Sequence, residues 1–257
     1  MILATMKELN GFELQAKDGK LGKIEELYFD EETWAVRYLV VNVGNWLLRD
    51  YVLLSPTSVE DVDREAEVVR VALTKDQIEN SPDINTHKPI SREKEERLHA
   101  YFNWPPYWRA MPMVAAGAAP HGAPVAPIAP YDLAPEEEKE MAAKGIQSSL
   151  RSTKEVSGYD VFANDGELGH VETFLVDTLR WIVRYVVVDT GTWLPGRKVL
   201  IAPMWVSGIR WADSEMYLKL TQREVETSPE YDPEQHLYRD YETRLYDHYG
   251  QLPYWEE

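Results

Sequence analysis

The sequence contains no cysteine, and it also lacks any long uninterrupted run of apolar residues. Without cysteine, the chain has no disulfides, thiolate nucleophiles or cysteine-ligated metals. The longest apolar run, residues 181–188, is interrupted by Arg184 and is far shorter than the roughly 20 residues that span a bilayer. Residues 1–7 show neither the basic nor the apolar region of a signal peptide. We therefore expect a soluble protein of the cytoplasmic side that does not insert into membranes, with peripheral membrane association as an alternative.

Basic side chains are also scarce, since 27 lysines and arginines stand against 44 aspartates and glutamates, a formal net charge of −17. The acidic excess is spread over the whole chain instead of being collected in one tail. Nucleic-acid-binding proteins normally present a basic stripe, and so negative a surface repels phosphate backbones. The composition therefore argues against direct DNA or RNA binding and is compatible with partners that carry basic surfaces.

Catalytic and metal-binding signatures are missing as well. The six histidines include no pair four residues apart, and no HExxH, P-loop, nucleophile elbow or GxGxxG motif occurs. We read the histidines as surface residues. The acids that both halves of the chain share, such as Asp18, Glu25 and Asp30, are explained by turns and a strand face. We expect no catalytic residue, no metal site and no cofactor.

What the sequence does contain is a long internal repeat. Residues 11–108 recur at 158–255 with a constant offset of 147 positions and no gap, so that Trp34 corresponds to Trp181. About a third of the aligned positions are identical, far above chance for a register held this long. The prediction is one domain over residues 1–108 (repeat 1), a linker over 109–147 and a second domain over 148–257 (repeat 2).

The linker is rich in alanine and proline over residues 109–130. Proline at this density blocks helices and sheet ladders and favours an extended tether. The alternative is a proline-rich strand that lies on a barrel or binds a partner. Residues 135–145 predict a short acidic helix with Pro135 in its first turn.

Inside each repeat, apolar and polar residues alternate in the pattern of half-buried strands. Asp18-Gly19 in repeat 1 and Asp165-Gly166 in repeat 2 predict type I′ hairpin turns. A glycine inside the strand that follows each turn indicates a bulge or a sharp bend. Five or six short strands separated by turn residues predict a small closed barrel in each repeat.

Helical signals follow the strands of each repeat. Thr74 and Thr221 begin capping boxes, in which a hydroxyl caps the first turn and a later side chain reaches back. A longer helix is predicted over residues 91–102 and over 233–249, the second with Asp232 as its N-cap. The predicted fold class is therefore mainly β with flanking helices (α+β).

The order of these motifs resembles the PRC-barrel domain over residues 7–84 and 154–231. The elements that carry the resemblance are Asp-Gly-x-Leu-Gly, Trp-x-Val-Arg-Tyr-x-Val-Val, Leu-Thr and Ser-Pro, which occur in this order in both repeats. The family is named for the cytoplasmic part of the H subunit of purple bacterial photosynthetic reaction centres. It also supplies the C-terminal half of a ribosome-maturation factor. The resemblance implies two tandem β-barrels that dock protein partners and have no enzymatic activity of their own.

The relatives also define two alternatives. The first is an H-subunit-like accessory protein of a photosynthetic or electron-transfer membrane complex, although no membrane-spanning segment is found here. The second is a ribosome-maturation-type adaptor that binds a ribosomal protein, although that factor carries a different domain before its barrel. A small-ligand carrier is disfavoured, because barrels of this size are filled by their own side chains. We expect a non-enzymatic docking or assembly protein whose two barrels pair within the chain about an approximate twofold.

Two groups of residues are candidates for protein interaction. Arg37 and Arg184 lie on the mainly apolar central strand, where they either pair with Glu25 and Glu172 or anchor a carboxylate of a partner. The C-terminal tail of each repeat carries aromatic side chains too large to stand bare in solvent. These either pack back on a barrel or form a hot-spot surface for another protein. The tail candidates are Trp104, Tyr107, Trp108, Tyr254 and Trp255.

Overall fold

The computed structural model describes residues 3–44, 50–82, 90–108, 149–191, 193–210, 212–235 and 237–256. The tether predicted at residues 109–130 and the acidic helix predicted at 135–145 lie outside the described residues. Among the helices that are described, none is long and apolar enough to cross a membrane.

Repeat 1 folds mainly into short strands, as its alternating pattern predicts. The capping box at Thr74 is confirmed, since its hydroxyl accepts from the Gln77 backbone while the Gln77 side chain accepts from the Thr74 backbone. The described elements are β1 (Leu3–Thr5), α1 (Met6–Leu9), β2 (Glu13–Ala16), β3 (Gly19–Asp30), β4 (Val36–Asn42), β5 (Tyr51–Leu54), β6 (Val59–Asp63), β7 (Val68–Val71), α2 (Lys75–Glu79) and α3 (Arg92–Phe102).

Repeat 2 contains the same elements in the same order. The capping box at Thr221 is formed with Glu224, again as predicted. The described elements are β8 (Leu150–Ser152), α4 (Thr153–Val156), β9 (Asp160–Ala163), β10 (Gly166–Asp177), β11 (Ile182–Asp189), β12 (Lys198–Ile201), β13 (Val206–Arg210), β14 (Glu215–Leu218), α5 (Gln222–Glu226) and α6 (Arg239–His248).

Six strands of each repeat form one curved sheet. The strand order in repeat 1 is β5-β4-β3-β2-β7-β6, with β2 and β7 parallel and the other neighbours antiparallel. Repeat 2 has the equivalent order β12-β11-β10-β9-β14-β13. This architecture is the predicted one, mainly β with flanking helices, and is consistent with two small PRC-type barrel-like domains.

The seventh strand of each sheet comes from the other repeat. β1 pairs antiparallel with β10, so that Leu3 lies opposite Asp177. Reciprocally, β8 pairs antiparallel with β3, and Leu150 lies opposite Asp30. The sequence could not reveal this exchange, because two copies of one pattern read the same whether a strand pairs inside its own repeat or across to the other.

The two repeats also meet at a buried junction. An isolated antiparallel bridge joins Ala35, just before β4, to Ile182, the first residue of β11. Beneath it, the rings of Phe29 and Phe174 lie 5.5 Å apart, and both side chains are completely buried. The apolar side chains of the two sheets consequently belong to one continuous core.

The predicted hairpins form, but their turn type was wrong. Ala16 lies opposite Gly19, so the two loop residues are Lys17 and Asp18 instead of Asp18 and Gly19. Neither loop residue has a positive φ, which a type I′ turn requires. Gly19, at φ 130°, is the first residue of β3. Its conformational freedom is therefore used where the strand leaves the turn.

The glycine inside the following strand marks a close approach of two backbones. The register between β2 and β3 shifts around Leu21, which confirms the predicted bulge. A Cβ atom at Gly22 would lie 2.2 Å from the carbonyl oxygen of Asn42 on β4. At the equivalent Gly169, the corresponding distance to the Asp189 oxygen is 2.0 Å. Only glycine lets β3 and β10 pass this close to their neighbours.

The bounds of the long helix were predicted more accurately in repeat 1 than in repeat 2. The helix predicted over residues 91–102 is α3. The helix predicted over 233–249 was too long at its start, because α6 begins only at Arg239. The Asp232 carboxylate accepts the N–H of Glu234 at 2.9 Å, a local turn that competes with helix formation.

Candidate interaction site: the two tail clusters

The tail of repeat 1 folds back over its own barrel. α3 ends at Asn103, whose left-handed conformation (φ 55°) redirects the chain. Trp104 then packs into the core, with 9% of its surface exposed, while Tyr107 and Trp108 remain partly buried. The tail of repeat 1 thus packs on its own barrel, and Tyr107 and Trp108 keep part of their surface accessible.

This packing brings the sequence candidates of repeat 1 together. The guanidinium of Arg37 lies 4.0 Å from the ring centroid of Tyr107. Arg92, the first residue of α3, lies 5.4 Å from the Tyr107 ring and 4.5 Å from the Trp108 ring. Each cation is attracted to the negative face of a ring, and the effect is larger in partly desolvated positions. We name Arg37, Arg92, Tyr107 and Trp108 tail cluster 1.

Repeat 2 builds the same arrangement from the equivalent residues. The Arg184 guanidinium lies 4.0 Å from the ring centroid of Tyr254. Arg239 lies 5.7 Å from the Tyr254 ring and 3.9 Å from the Trp255 ring. We name Arg184, Arg239, Tyr254 and Trp255 tail cluster 2. Sequence reasoning found both tails and both strand arginines, but it missed Arg92 and Arg239.

The acidic partners expected for the strand arginines were wrong. Arg37 pairs with Asp30 at 3.5 Å, and in repeat 2 Arg184 pairs with Asp177 at 3.3 Å. β3 and β4 form a hairpin, so Arg37 near the start of β4 lies beside the end of β3. Glu25 lies toward the other end of β3, where it pairs with Lys154. Glu172 pairs instead with two lysines.

A buried carboxylate lies beneath tail cluster 1. Glu95 is completely buried, and it accepts hydrogen bonds from the hydroxyls of Tyr38, at 3.1 Å, and Tyr107. Arg92 completes the group with an ion pair to Glu95 at 2.9 Å. A single side chain thus connects the central strand, the helix and the tail.

Glu242 does the same in repeat 2. It accepts from the hydroxyls of Tyr185 and Tyr254, both at 2.9 Å, and pairs with Arg239 at 3.1 Å. The sequence did hold a signal for these two glutamates. Both repeats have Arg-x-x-Glu at the start of the long helix, which places the pair on one helix face.

Burial controls the protonation of these groups. It raises the pKa of the Glu95 and Glu242 carboxyls, and the hydrogen bonds from the tyrosine hydroxyls oppose this only in part. Burial also raises the pKa of the Tyr38 and Tyr185 hydroxyls, and the neighbouring carboxylates add to that increase. The tyrosines are therefore permanent donors, which suits a structural connection between barrel and tail.

His99 distinguishes the two clusters. Its Nε2 lies 2.8 Å from the Tyr38 hydroxyl, and its Nδ1 lies 3.2 Å from the carbonyl oxygen of Pro105. Reading this histidine as a surface residue was wrong, since 5% of it is exposed and burial lowers its pKa to about 4. Tyr246 occupies the equivalent position of repeat 2.

Among the described residues, no group of three or more histidines and acids is placed to hold a metal ion. What the two clusters offer is a pair of arginine–aromatic surfaces, each fixed from below by a buried carboxylate.

Comparison with known families identifies part of the chain. Residues 4–78 match the PRC-barrel domain. A PRC-barrel domain is thus present in repeat 1, from β1 to α2, and such a domain suggests a protein-interaction or assembly module. The match includes the strand that repeat 1 contributes to the other sheet. A search of curated proteins finds no match.

Proposed function

We propose that this protein is a non-enzymatic docking or assembly module of the cytoplasmic side, built from two PRC barrels. The observation that carries the proposal is that both repeats hold arginine, tyrosine and tryptophan side chains in one fixed arrangement at the end of the barrel. These are the residue types enriched at energetic hot spots of protein interfaces.

Arginine side chains in the clusters are held in place by their neighbours and are still accessible to a partner. The Arg239 side chain is 43% exposed although it pairs with Glu242 and stacks on Trp255. A guanidinium already held in place loses little conformational entropy when it binds a partner. Repeat 2 has the strand order of repeat 1 and all its motifs, which supports assigning a PRC barrel to it as well.

Affinity purification of the tagged full-length chain, expressed at its natural level, tests this proposal. We expect one partner at constant stoichiometry, and at least about a tenfold loss of that partner from the variant Trp108→Ala/Trp255→Ala. The matched control is Leu179→Glu, which alters a side chain that is 69% exposed, at a position where repeat 1 has Glu32.

Thermal unfolding of the three proteins must first show that all are folded. Equal capture of the partner by the tail variant and the natural chain would contradict a docking role for the clusters. An enzymatic turnover abolished by one point substitution would contradict the non-enzymatic part of the proposal.

A further inference from the structure

A groove lies at the hairpin end of repeat 1, and no residue of the tail clusters lines it. It is an open cavity of about 680 Å³ between the start of β3, the end of β4 and the start of α2. Three lysines line it, namely Lys20, Lys23 and Lys75, and Lys17 lies in the adjoining hairpin loop. We name this surface the lysine groove. In a chain of net charge −17, such a concentration of lysine is unusual.

The equivalent end of repeat 2 has lost every one of these lysines. The corresponding residues are Asn164, Glu167, His170 and Gln222. The backbones correspond strand for strand, so the difference between the two ends is one of charge.

Two cross-strand neighbours increase this difference, since Asp189 and Glu215 of repeat 2 stand where repeat 1 has Asn42 and Val68, whereas Glu13 of repeat 1 is acidic like its counterpart Asp160. In repeat 1, Lys23 on β3 lies opposite Glu13 on β2 and Asn42 on β4. In repeat 2, His170 on β10 lies opposite Asp160 and Asp189, and Asp160 in turn lies beside Glu215. Residues directly opposite one another point to the same face of a sheet. We name the surface of Asp160, Glu167, Asp189 and Glu215 the acidic end.

Several of these charges are not neutralised within the chain. Lys17 and Lys23 are exposed and form no ion pair with any residue that the structure describes. The same holds for Asp160 and Glu167, which are also exposed. Free charges of opposite sign thus stand at equivalent ends of one molecule.

From this complementarity we infer that the lysine groove binds the acidic end of a second copy of this chain, in a head-to-tail contact. The inference rests on the assembly role proposed above and names one partner for it. A contact between two different surfaces of the same protein is heterologous, so it leaves a free end on each side and can propagate into a ring or a linear array.

The overall negative charge of each copy opposes association. This repulsion acts mainly between charges on remote parts of the two copies, which are farther apart than the charges that meet at the contact. At an ionic strength of 0.1–0.15 M the Debye length is about 8–10 Å, so charges on remote parts of two copies are largely screened. Charges that meet across the groove are closer than this and still attract. Electrostatic contacts of this kind are weak and depend strongly on salt.

Charge reversal on each surface separately tests the inference. Lys17→Glu/Lys23→Glu reverses the two free charges beside the lysine groove, and Asp160→Lys/Glu167→Lys reverses the two free charges of the acidic end. Each variant alone should associate with itself more weakly than the natural chain does, whereas an equimolar mixture of the two should recover the association. The control is Arg97→Glu/Arg244→Glu on the exposed faces of α3 and α6, which changes the net charge as much as the first variant does.

Sedimentation velocity of the purified chain over a range of concentrations provides the readout. We expect natural and control proteins to associate in 0.1 M salt and to dissociate in 1 M salt. Each reversal variant should associate at least about tenfold more weakly, with recovery in the mixture.

A chain that stays monomeric at millimolar concentration in low salt would overturn the inference, and so would association that both reversals leave unchanged. Binding of the groove to anionic vesicles without self-association would assign it to a membrane surface instead. Because this test uses the purified chain alone, its failure is distinct from failure of partner capture by the tail clusters.

Discussion

Trp34 and Trp181 join the two repeats through the same contact made twice. The Trp34 carbonyl accepts the N–H of Val183 at 2.9 Å, and the Trp181 carbonyl accepts the N–H of Val36 at 2.7 Å. Both tryptophans have a positive φ, 58° and 53°, which is unfavourable for bulky side chains. Since both repeats keep this unfavourable conformation, the junction is a specific part of the fold and not a chance contact between two independent barrels.

The side chains of Phe29 and Phe174, whose rings touch beneath this junction, should be energetically coupled. We expect Phe29→Leu and Phe174→Leu each to lower the free energy of unfolding by about 1–2 kcal/mol. The double variant should deviate from additivity by about 0.5–1 kcal/mol, because the two rings touch across the repeats at 5.5 Å. Urea unfolding of the four proteins measures the cycle. Phe162, which stacks on Tyr217 within repeat 2, is the control, and Phe29→Leu with Phe162→Leu should be additive.

The exchange of β1 and β8 between the two sheets leads to a second prediction. If residues 109–148 are cut at an inserted protease site, the two fragments should stay together in size-exclusion chromatography without denaturant. β1 and β8 would still cross between the sheets, and Arg151 of β8 would still make its two-bond contact with Glu31 at 2.7 and 2.5 Å. The uncut protein is the control. Fragments that elute separately under native conditions would contradict the exchange.

Local features of the fold could be read from the sequence. The capping boxes at Thr74 and Thr221, the helix after Ser91 and the glycines beside the bulges depend only on residues close in the sequence, so the sequence alone predicts them. The alternation also marked the buried residues Val36, Tyr38 and Val40 of β4, although Leu39 between them is completely buried as well.

Features that depend on distant residues could not be read in this way. The strand exchange is invisible because the repeats are alike. The Asp30 partner of Arg37 follows from the hairpin register, which shifts once at Glu25 in β3 and once at Arg37 itself in β4. The burial of His99 follows from the tail that folds over it, since an isolated helix would leave this side chain in solvent.

The close approach at Gly22 gives a third prediction. Gly22→Ala should lower the free energy of unfolding by about 3 kcal/mol or more, because its Cβ would lie 2.2 Å from a backbone oxygen that the sheet holds in place. Chemical denaturation checks the value. Gly208→Ala is the matched control, since no atom lies within 4 Å of a Cβ there, and it should cost much less. Equal effects at the two positions would show that β3 and β4 can separate freely.

His99 makes the stability of repeat 1 depend on pH. Its pKa is about 4 in the folded protein and about 6.5 when unfolded, so the stability linked to neutral His99 is present above pH 6.5 and is lost as the pH falls toward 4. The Glu95 carboxyl acts in the opposite direction, because a raised pKa favours the folded state as protons bind. His99→Gln removes only the histidine contribution.

The difference in unfolding free energy between the natural protein and His99→Gln should therefore shrink by up to about 3 kcal/mol between pH 7 and pH 4. Urea unfolding at four pH values in this range measures it. The control is Ala100→Gln, which places the same side chain at an exposed position of α3 without removing a titratable group and should follow the natural protein throughout. Parallel curves for the natural protein and His99→Gln would mean that His99 is as free to bind a proton in the folded protein as in the unfolded chain. The tail would then not cover it.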